Sequence, residues 1–380
     1  MKLDFSTDPT LAAIDAALEA ESAAEQPRPY FGASTAGDDC ARKLWLRHRW
    51  AKRETFDAAT LKRFADGHAG EDVQAERLRK VPGVKLATTD PQTGEQWAVS
   101  DCGGHLRGHL DGVIGGLLQA PKTPHVWEHK QVGEKTFDGL RAAVQKHGEK
   151  DALEHWNPVY FAQAQVYMHL RKLTRHYLTV STPGGRDTTS VRTEHQASKA
   201  QKVIARAAEI IFSASPPEGV SADPAWWQCK MCSFAPLCHG NAAPAVNCRT
   251  CAHVTPGEAG NWYCGRNPGD AIPVEFQRTG CDDHRYIPQV VARLVELEAH
   301  DDETNETVWR SKANGKAIHQ PKYASSEFCV PGLLGDDGVE SFKAMFGHGV
   351  KINAPLTSKE PREPDTFSDL PWLKQQGAPA

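Results

Sequence analysis

The stretch GHLDGVIGGLLQAPKTPHVWEHKQV runs from Gly108 to Val132. Asp111 lies in its first apolar run, and beyond a Gly/Pro-rich gap a second run leads into Glu128-His129-Lys130. Strand alternation points Glu128 and Lys130 to the same side of a sheet. If the two runs are neighbouring strands, Asp111 and Glu128 can share a hard divalent cation, Mg²⁺ or Mn²⁺. Such a cation lowers the pKa of a bound water and stabilises charge on a phosphate oxygen. The Lys130 ammonium can orient that water or neutralise the transition state. This chemistry suits phosphodiester hydrolysis. Asp and Glu-x-Lys are also common surface residues at strand ends, so these three positions do not decide the matter alone.

The cysteines form a second constellation. The sequence has ten, and MKLDFSTDPT lacks the apolar stretch of a signal peptide. A cytoplasmic chain is expected, with thiols serving metals rather than disulfides. WWQCKMCSFAPLCHG gives Cys229-x2-Cys232-x5-Cys238, three thiolates that need a fourth ligand. Further on come Cys248-x2-Cys251, then Cys264 and Cys281, among Gly-rich turns. These four resemble a zinc-ribbon-like module with closed tetrahedral Zn²⁺ ligation. It serves either as a docking appendage or as a staple for a segment too short to build its own core. Cys102 and Cys329 fit neither set.

Charge excludes little. Lys and Arg total 44 against 48 Asp and Glu, so no global field draws the chain to nucleic acid. Locally, RKLWLRHRWAKR holds Arg42, Lys43, Arg47 and Arg49 beside Trp45 and Trp50. Such a stretch either grips DNA phosphates or forms an amphipathic helix that buries Leu44, Trp45 and Leu46.

The elements that position these groups follow from periodicity. Helices are expected near 10–25, with Leu11, Ile14 and Leu18 on one face, around Cys40, and over 61–80. Strands are expected at VKLATT, EQWAVS, HLRGHLDGVI and HVWEHKQV. Helices over 137–146 and 158–172 precede a strand pair, RHYLTVST and TTSVRTEHQ, and a helix over 198–212. The order implies an α/β fold with a mixed central sheet flanked by helices, plus a small Cys-rich module. The expected divisions are an N-terminal helix (1–29), a main domain (30–240), the zinc-ribbon-like module (245–290) and a polar, partly disordered extension (291–380). No apolar run is long enough to span a membrane.

Two more segments complete a pattern. FADGHAGEDVQAERL sets Gly67 four residues before Glu71, and YFAQAQVYMHL sets Gln163 and Tyr167 one helical turn apart on one face. In order the chain reads G-x-x-x-E, D, E-x-K, Q-x-x-x-Y. It resembles the RecB-type branch of the PD-(D/E)XK nuclease superfamily, which includes lambda-type exonucleases and CRISPR-associated adaptation nucleases. The likeness covers roughly Tyr30 to Gly240. It departs at Leu110, where the superfamily's name has Pro.

The resemblance implies a restriction-endonuclease-like core. It makes Glu71, Asp111 and Glu128 metal ligands, with His68 as an alternative to Glu71, and Lys130 the catalytic lysine. Gln163 and Tyr167 contact the DNA backbone or brace the site. It also supplies Cys40 as the fourth partner of Cys229, Cys232 and Cys238, holding a structural [4Fe–4S] cluster, with Zn²⁺ as the alternative. The implied function is a Mg²⁺/Mn²⁺-dependent deoxyribonuclease, an exonuclease of the bacteriophage or prophage type. Its partners would be DNA and a single-strand-annealing recombination protein. The alternative is a non-catalytic DNA-binding or scaffold protein on the same fold, with structural metals only.

Overall fold

The structure is a computed structural model that describes residues 8–328. Cys329, the polar tail from Ser358 and the rest of the expected extension beyond 328 lie outside the described residues.

Helix α1 (Pro9–Ala24) starts at an Asp8 cap and buries no side chain. Its expected apolar face stays open, with Leu11 and Ile14 exposed. Polar contacts tie it down instead: Asp15 pairs with Lys62, and Glu19 accepts from the Ala58 amide. After β1 (Phe31–Gly32), α2 (Ala41–His48) begins at Cys40 and buries Leu44, Trp45 and Leu46. The long α3 (Ala58–Arg79) starts at Asp57, whose carboxylate accepts from the Thr60 amide.

Strands β2 (Lys85–Ala87), β3 (Ala98–Asp101), β4 (Leu106–His109), β5 (Gly112–Gly115) and β6 (His125–Gln131) follow. Helices α4 (Glu134–His147), α5 (Glu149–Trp156) and α6 (Pro158–Arg171) then carry the chain to β7 (Arg175–Ser181) and β8 (Thr188–Glu194). Helix α7 (Ala197–Phe212) completes this part.

The central sheet has the order β2-β5-β6-β7-β8. Only β6 and β7 pair in parallel, as a helical crossover requires. They are also its most buried strands. Successive β6 side chains serve opposite faces. Val126 joins a core with Leu140, Leu153, Val166 and Leu178, whereas Trp127 packs with Ile114 and with Ala75 and Leu78 of α3. The fold is therefore α/β, with helices on both sides of a mixed sheet.

Two expectations need correction. HLRGHLDGVI is not one strand: β4 and β5 belong to different sheets, and the chain changes sheet at Leu110–Asp111. EQWAVS likewise contributes β3 to a second sheet, ordered β1-β4-β3. Leu110 still belongs to the second sheet, one rung past the Ala98–His109 pair, and the chain leaves that sheet after it. Its amide bonds back to Trp97 O at 2.9 Å, and its carbonyl accepts from Gln96 Nε2 at 3.2 Å.

Beyond α7, one-turn helices at Trp227–Lys230 and Ala235–Cys238 carry Cys229 and Cys238, with Cys232 between them, while Cys40 caps α2. A hairpin of β9 (Val254–Pro256) and β10 (Trp262–Cys264) packs Trp262 against Cys251 and Val254. Residues 291–328 are not simply a polar extension. They form an antiparallel sheet of β11 (Val295–His300), β12 (Thr307–Ser311) and β13 (Ala317–Gln320), with a core around Trp309, Ile318 and Tyr323. Among the described residues no helix is long and apolar enough to cross a membrane.

Candidate active site

Asp111 occupies the point where the chain leaves β4 for β5, and its Oδ2 accepts from the His129 amide of β6 at 2.8 Å. That bond fixes the carboxylate beside the next strand. Glu128 and Lys130 share one face of β6, two residues apart. Lys130 Nζ lies 2.9 Å from Glu128 Oε2 and 3.6 Å from Asp111 Oδ2. The His129 ring points the other way, with its nitrogens 3.0 Å from Thr179 Oγ1 and 3.1 Å from Ser181 Oγ. Burial, with Lys130 nearby, holds that ring neutral at a pKa of about 4.

Helix α6 closes the site from behind. Gln163 Nε2 donates to Glu128 Oε2 and to the Tyr167 hydroxyl, both at 3.2 Å. Tyr167 is only 1% exposed, so it braces Gln163 rather than facing solvent. Its ring lies against β4 because Gly108 has no side chain. A Cβ at 108 would stand 2.6 Å from Tyr167 Cε1 and 2.9 Å from the Ala33 Cβ.

Glu71 comes from α3. Burial and the Asp111 charge raise its pKa to about 7, and Lys130 partly offsets them. Burial and Asp111 likewise lift Glu128 to about 8 against the pull of Lys130. Burial opposes the Lys130 charge, yet Glu128 and Asp111 outweigh it and raise the ammonium pKa. Lys130 thus pairs with Asp111 and Glu128, with Glu71 nearby, and the raised values mean that protons on Glu71 and Glu128 relieve the crowding of negative charge near neutral pH, a role a divalent ion would take over. Glu128 Oε1 is buried and has no hydrogen-bond partner, a second feature that fits a cation. Among the described residues, no three His, Cys, Asp or Glu side chains are gathered tightly enough to hold a metal ion. In this geometry the lysine provides the positive charge between Asp111 and Glu128.

A cleft of about 400 Å³ is lined by all seven of Glu71, His68, Asp111, Glu128, Lys130, Gln163 and Tyr167. Its wall also includes Arg28, Tyr30, Ser34, Gln96, Arg107 and His109, which sequence reasoning did not single out. A signal existed for two of them. Arg107 and His109 are the exposed positions of β4 leading to Asp111, alternating with buried Leu106 and Gly108.

The basic stretch around α2 is a correction. Arg49 is 1% exposed and bonds three main-chain carbonyls, so it offers no surface to a phosphate. Arg47 pairs doubly with Glu54, Lys43 pairs with Asp38, and Arg42 donates to Pro217 O. None of the four lines the cleft. Their acidic and carbonyl partners lie outside the run, which is why local charge density suggested a free face.

The cysteine sets are drawn together to different degrees. Asp39 and Gln228, chain neighbours of Cys40 and Cys229, hydrogen-bond at 3.2 Å. Burial raises the Cys238 thiol to about 11; Arg42 opposes this, while Cys232, Cys40 and Cys229 add to it. In the second set Cys248 and Cys264 pack with Cys251 around Trp262. Burial lifts Cys248 to about 12, with contributions from Cys251, Cys281 and Cys264. Cys102 stands apart, its thiol 3.7 Å from Ile204 O.

No family model matches the chain, and no curated protein matches it. Among solved structures it is similar to the crystal structure of SSO0001, with 14% identity and a TM-score of 0.36. That match covers 62% of this chain and 98% of the other. It is also similar to an alkaline exonuclease, LHK-Exo, from Laribacter hongkongensis. There the identity is 15% and the TM-score 0.33, over 51% of this chain and 92% of that one. The complex of LHK-Exo with dAMP gives 14% and 0.33, over 50% and 88%.

Proposed function

We propose that the protein is a Mg²⁺- or Mn²⁺-dependent deoxyribonuclease of the exonuclease type. The observation that carries this reading is that Glu71, Asp111, Glu128 and Lys130 line one open cleft, with a buried Glu128 oxygen left unpartnered. Glu71, Asp111 and Glu128 would hold the metal, with His68 at the rim as the alternative to Glu71. Bound there, the ion would supply Lewis acidity toward a phosphate oxygen and an acidified water.

The chain's own groups have separate tasks. Lys130 keeps its proton and places positive charge where the pentavalent phosphate gathers negative charge. Gln163, held by Tyr167, orients the Glu128 carboxylate. Arg28 and Arg107 present guanidinium groups to the sugar-phosphate strand, which makes binding sequence-tolerant and salt-sensitive. For the cofactors we propose a [4Fe–4S] cluster, or Zn²⁺, on Cys40, Cys229, Cys232 and Cys238, and Zn²⁺ on Cys248, Cys251, Cys264 and Cys281. A phage-type recombination role beside a single-strand-annealing protein, in the cytoplasm, is part of the same proposal.

The test is digestion of linear duplex and single-stranded DNA with and without Mg²⁺. Lys130→Ala should abolish cleavage and retain DNA binding. Wild-type rates in that variant would sink the site assignment. Binding by the wild type without any cleavage would favour a scaffold role.

A further inference from the structure

The segment Arg28-Pro29-Tyr30 belongs to no helix or strand, yet it gives the cleft two wall residues, Arg28 and Tyr30. A loop presents a side chain at a fixed place only if its backbone is anchored. Two consecutive carbonyls supply the anchors. Arg28 O accepts from Trp50 Nε1 at 2.9 Å, and Pro29 O accepts from Arg249 Nη2 at 2.9 Å. After Tyr30 the Phe31 amide donates to His105 O at 2.8 Å, and Phe31 and Gly32 pair in parallel with Leu106 and Arg107. Pro27 and Pro29 fix two further backbone angles.

The two donors form one unit. The Arg249 guanidinium lies 3.6 Å from the Trp50 ring and 4.7 Å from the Trp262 ring. Its other nitrogens donate to His48 O at 3.0 Å and to Gln277 Oε1 at 2.9 Å, and Arg249 is 0% exposed. A planar fork with three acceptors and two rings against it has little freedom to move. Trp50 lies in the left-handed region at φ +52°, a strained place for a non-glycine residue, and the Asn247 side-chain amide donates to its carbonyl at 3.0 Å. Asn247 also caps the turn that carries Arg249. Its Oδ1 accepts from the Arg249 and Thr250 amides at 2.8 and 3.1 Å.

We infer that Trp50 and Arg249 are positioning residues for DNA binding: through the carbonyls of Arg28 and Pro29 they hold Arg28 and Tyr30 in the cleft wall. Arg28 meets the phosphates of the strand, and Tyr30 offers a ring face to its sugar or base. Among the described residues none beyond Tyr167 lines the cleft. Arg249, 220 residues along the chain from Pro29, is thus how the Cys-rich segment reaches the substrate without touching it. The inference rests on the nuclease reading above and adds residues that act at a distance on that site.

The test uses the full chain, first without DNA. Trp50→Phe keeps a ring against Arg249 and loses the bond to Arg28 O; Arg249→Gln loses the reach to Pro29 O. Hydrogen exchange at the Phe31 and Gly32 amides should speed up in both variants and stay as in wild type in α4 and α5. Each variant should then weaken binding of linear DNA and raise KM about three- to tenfold, the weight of one positioning hydrogen bond. At saturating DNA, kcat should stay within about twofold of wild type. In an Arg28→Ala, Tyr30→Ala background the same substitutions should cost less than about twofold, because the groups they position are gone.

Unchanged exchange at Phe31 and Gly32 in folded Trp50→Phe protein overturns the anchoring. A binding loss that persists undiminished in the Arg28→Ala, Tyr30→Ala background, or a fall in kcat with KM unchanged, overturns the positioning role. If Arg249→Gln does not fold, Trp50→Phe decides alone. A wild type that neither cuts nor binds DNA overturns the nuclease reading and this role within it, whereas the exchange result, read without DNA, decides the anchoring separately.

Discussion

Replacing Lys130 by Met removes the ammonium and keeps most of the stem, and the fold should register the loss before any DNA is added. Nζ stands 2.9 Å from one carboxylate oxygen and 3.6 Å from another. At an effective dielectric of about 20 these are gross attractions of roughly 6 and 5 kcal/mol. Desolvation of the ammonium offsets much of that, and breaking a buried pair from one side costs about 3–5 kcal/mol. The Lys130 side chain is 23% exposed, so solvent screening puts the expectation nearer 2–3 kcal/mol for metal-free protein. The variant leaves Glu71, Asp111 and Glu128 facing one another without a cation. Mg²⁺ or Mn²⁺ should therefore restore most of the loss and stabilise the variant more than the wild type. Urea unfolding at pH 8, in chelator and then with metal, reads both effects. A loss below about 0.5 kcal/mol, within the ordinary range for surface substitutions, would refute the shared-cation argument. A variant that metal fails to stabilise would refute the ligand assignment.

The metal-free wild type should be pH-sensitive at the same place. Folded Glu71 and Glu128 release protons near 7 and 8, against an ordinary value of 4.5. A raised folded pKa gives stability that is complete below about 4.5 and lost as pH climbs through 7 to 8. The unfolding midpoint should fall across that window, and Mg²⁺ should flatten the fall. Gly108→Ala should cost about 1–3 kcal/mol by pressing on Tyr167 and should slow cleavage more than it weakens binding. Gly67→Ala is its control, because nothing lies within 4 Å of a Cβ there; it should be neutral or stabilise α3 by up to about 1 kcal/mol. Arg28→Ala and Arg107→Ala should each weaken DNA binding evenly across sequences and lower the salt slope by about 1.

The acid–lysine set was legible because strand alternation is a local rule: two residues apart on β6 means one face. Gln163 and Tyr167 were legible by the same logic on α6. The sheet change was not. Leu106 to Ile114 carries an uninterrupted strand pattern, and the change lies in the pairing partners, β3 up to Leu110 and then β2 and β6 from Gly112, which no local window contains. Arg28 was missed because it stands in a loop with no period to read. The basic run around α2 was read as a candidate phosphate grip for the converse reason. Its charges are conspicuous in sequence, but the acids that pair with two of them, Asp38 and Glu54, sit just outside the run, and the carbonyls that satisfy Arg42 and Arg49 lie more than 150 residues away. Nor does sequence mark a guanidinium as buried, and Arg49 and Arg249 show how completely it can be.

The change of sheet also gives the cleft its shape. Had β4 continued into β5 as one strand, Arg107, His109 and Asp111 would share one face of the central sheet, with no wall opposite them. Because β4 belongs to another sheet, Arg107 and His109 line one part of the cleft while Glu128 and Lys130 line another. Asp111 is the residue at the join, and its carboxylate is bonded to the β6 backbone. Gly108 lets the two parts close on Tyr167. The residue that most needs a fixed position for the proposed chemistry is therefore the one the backbone break itself holds in place.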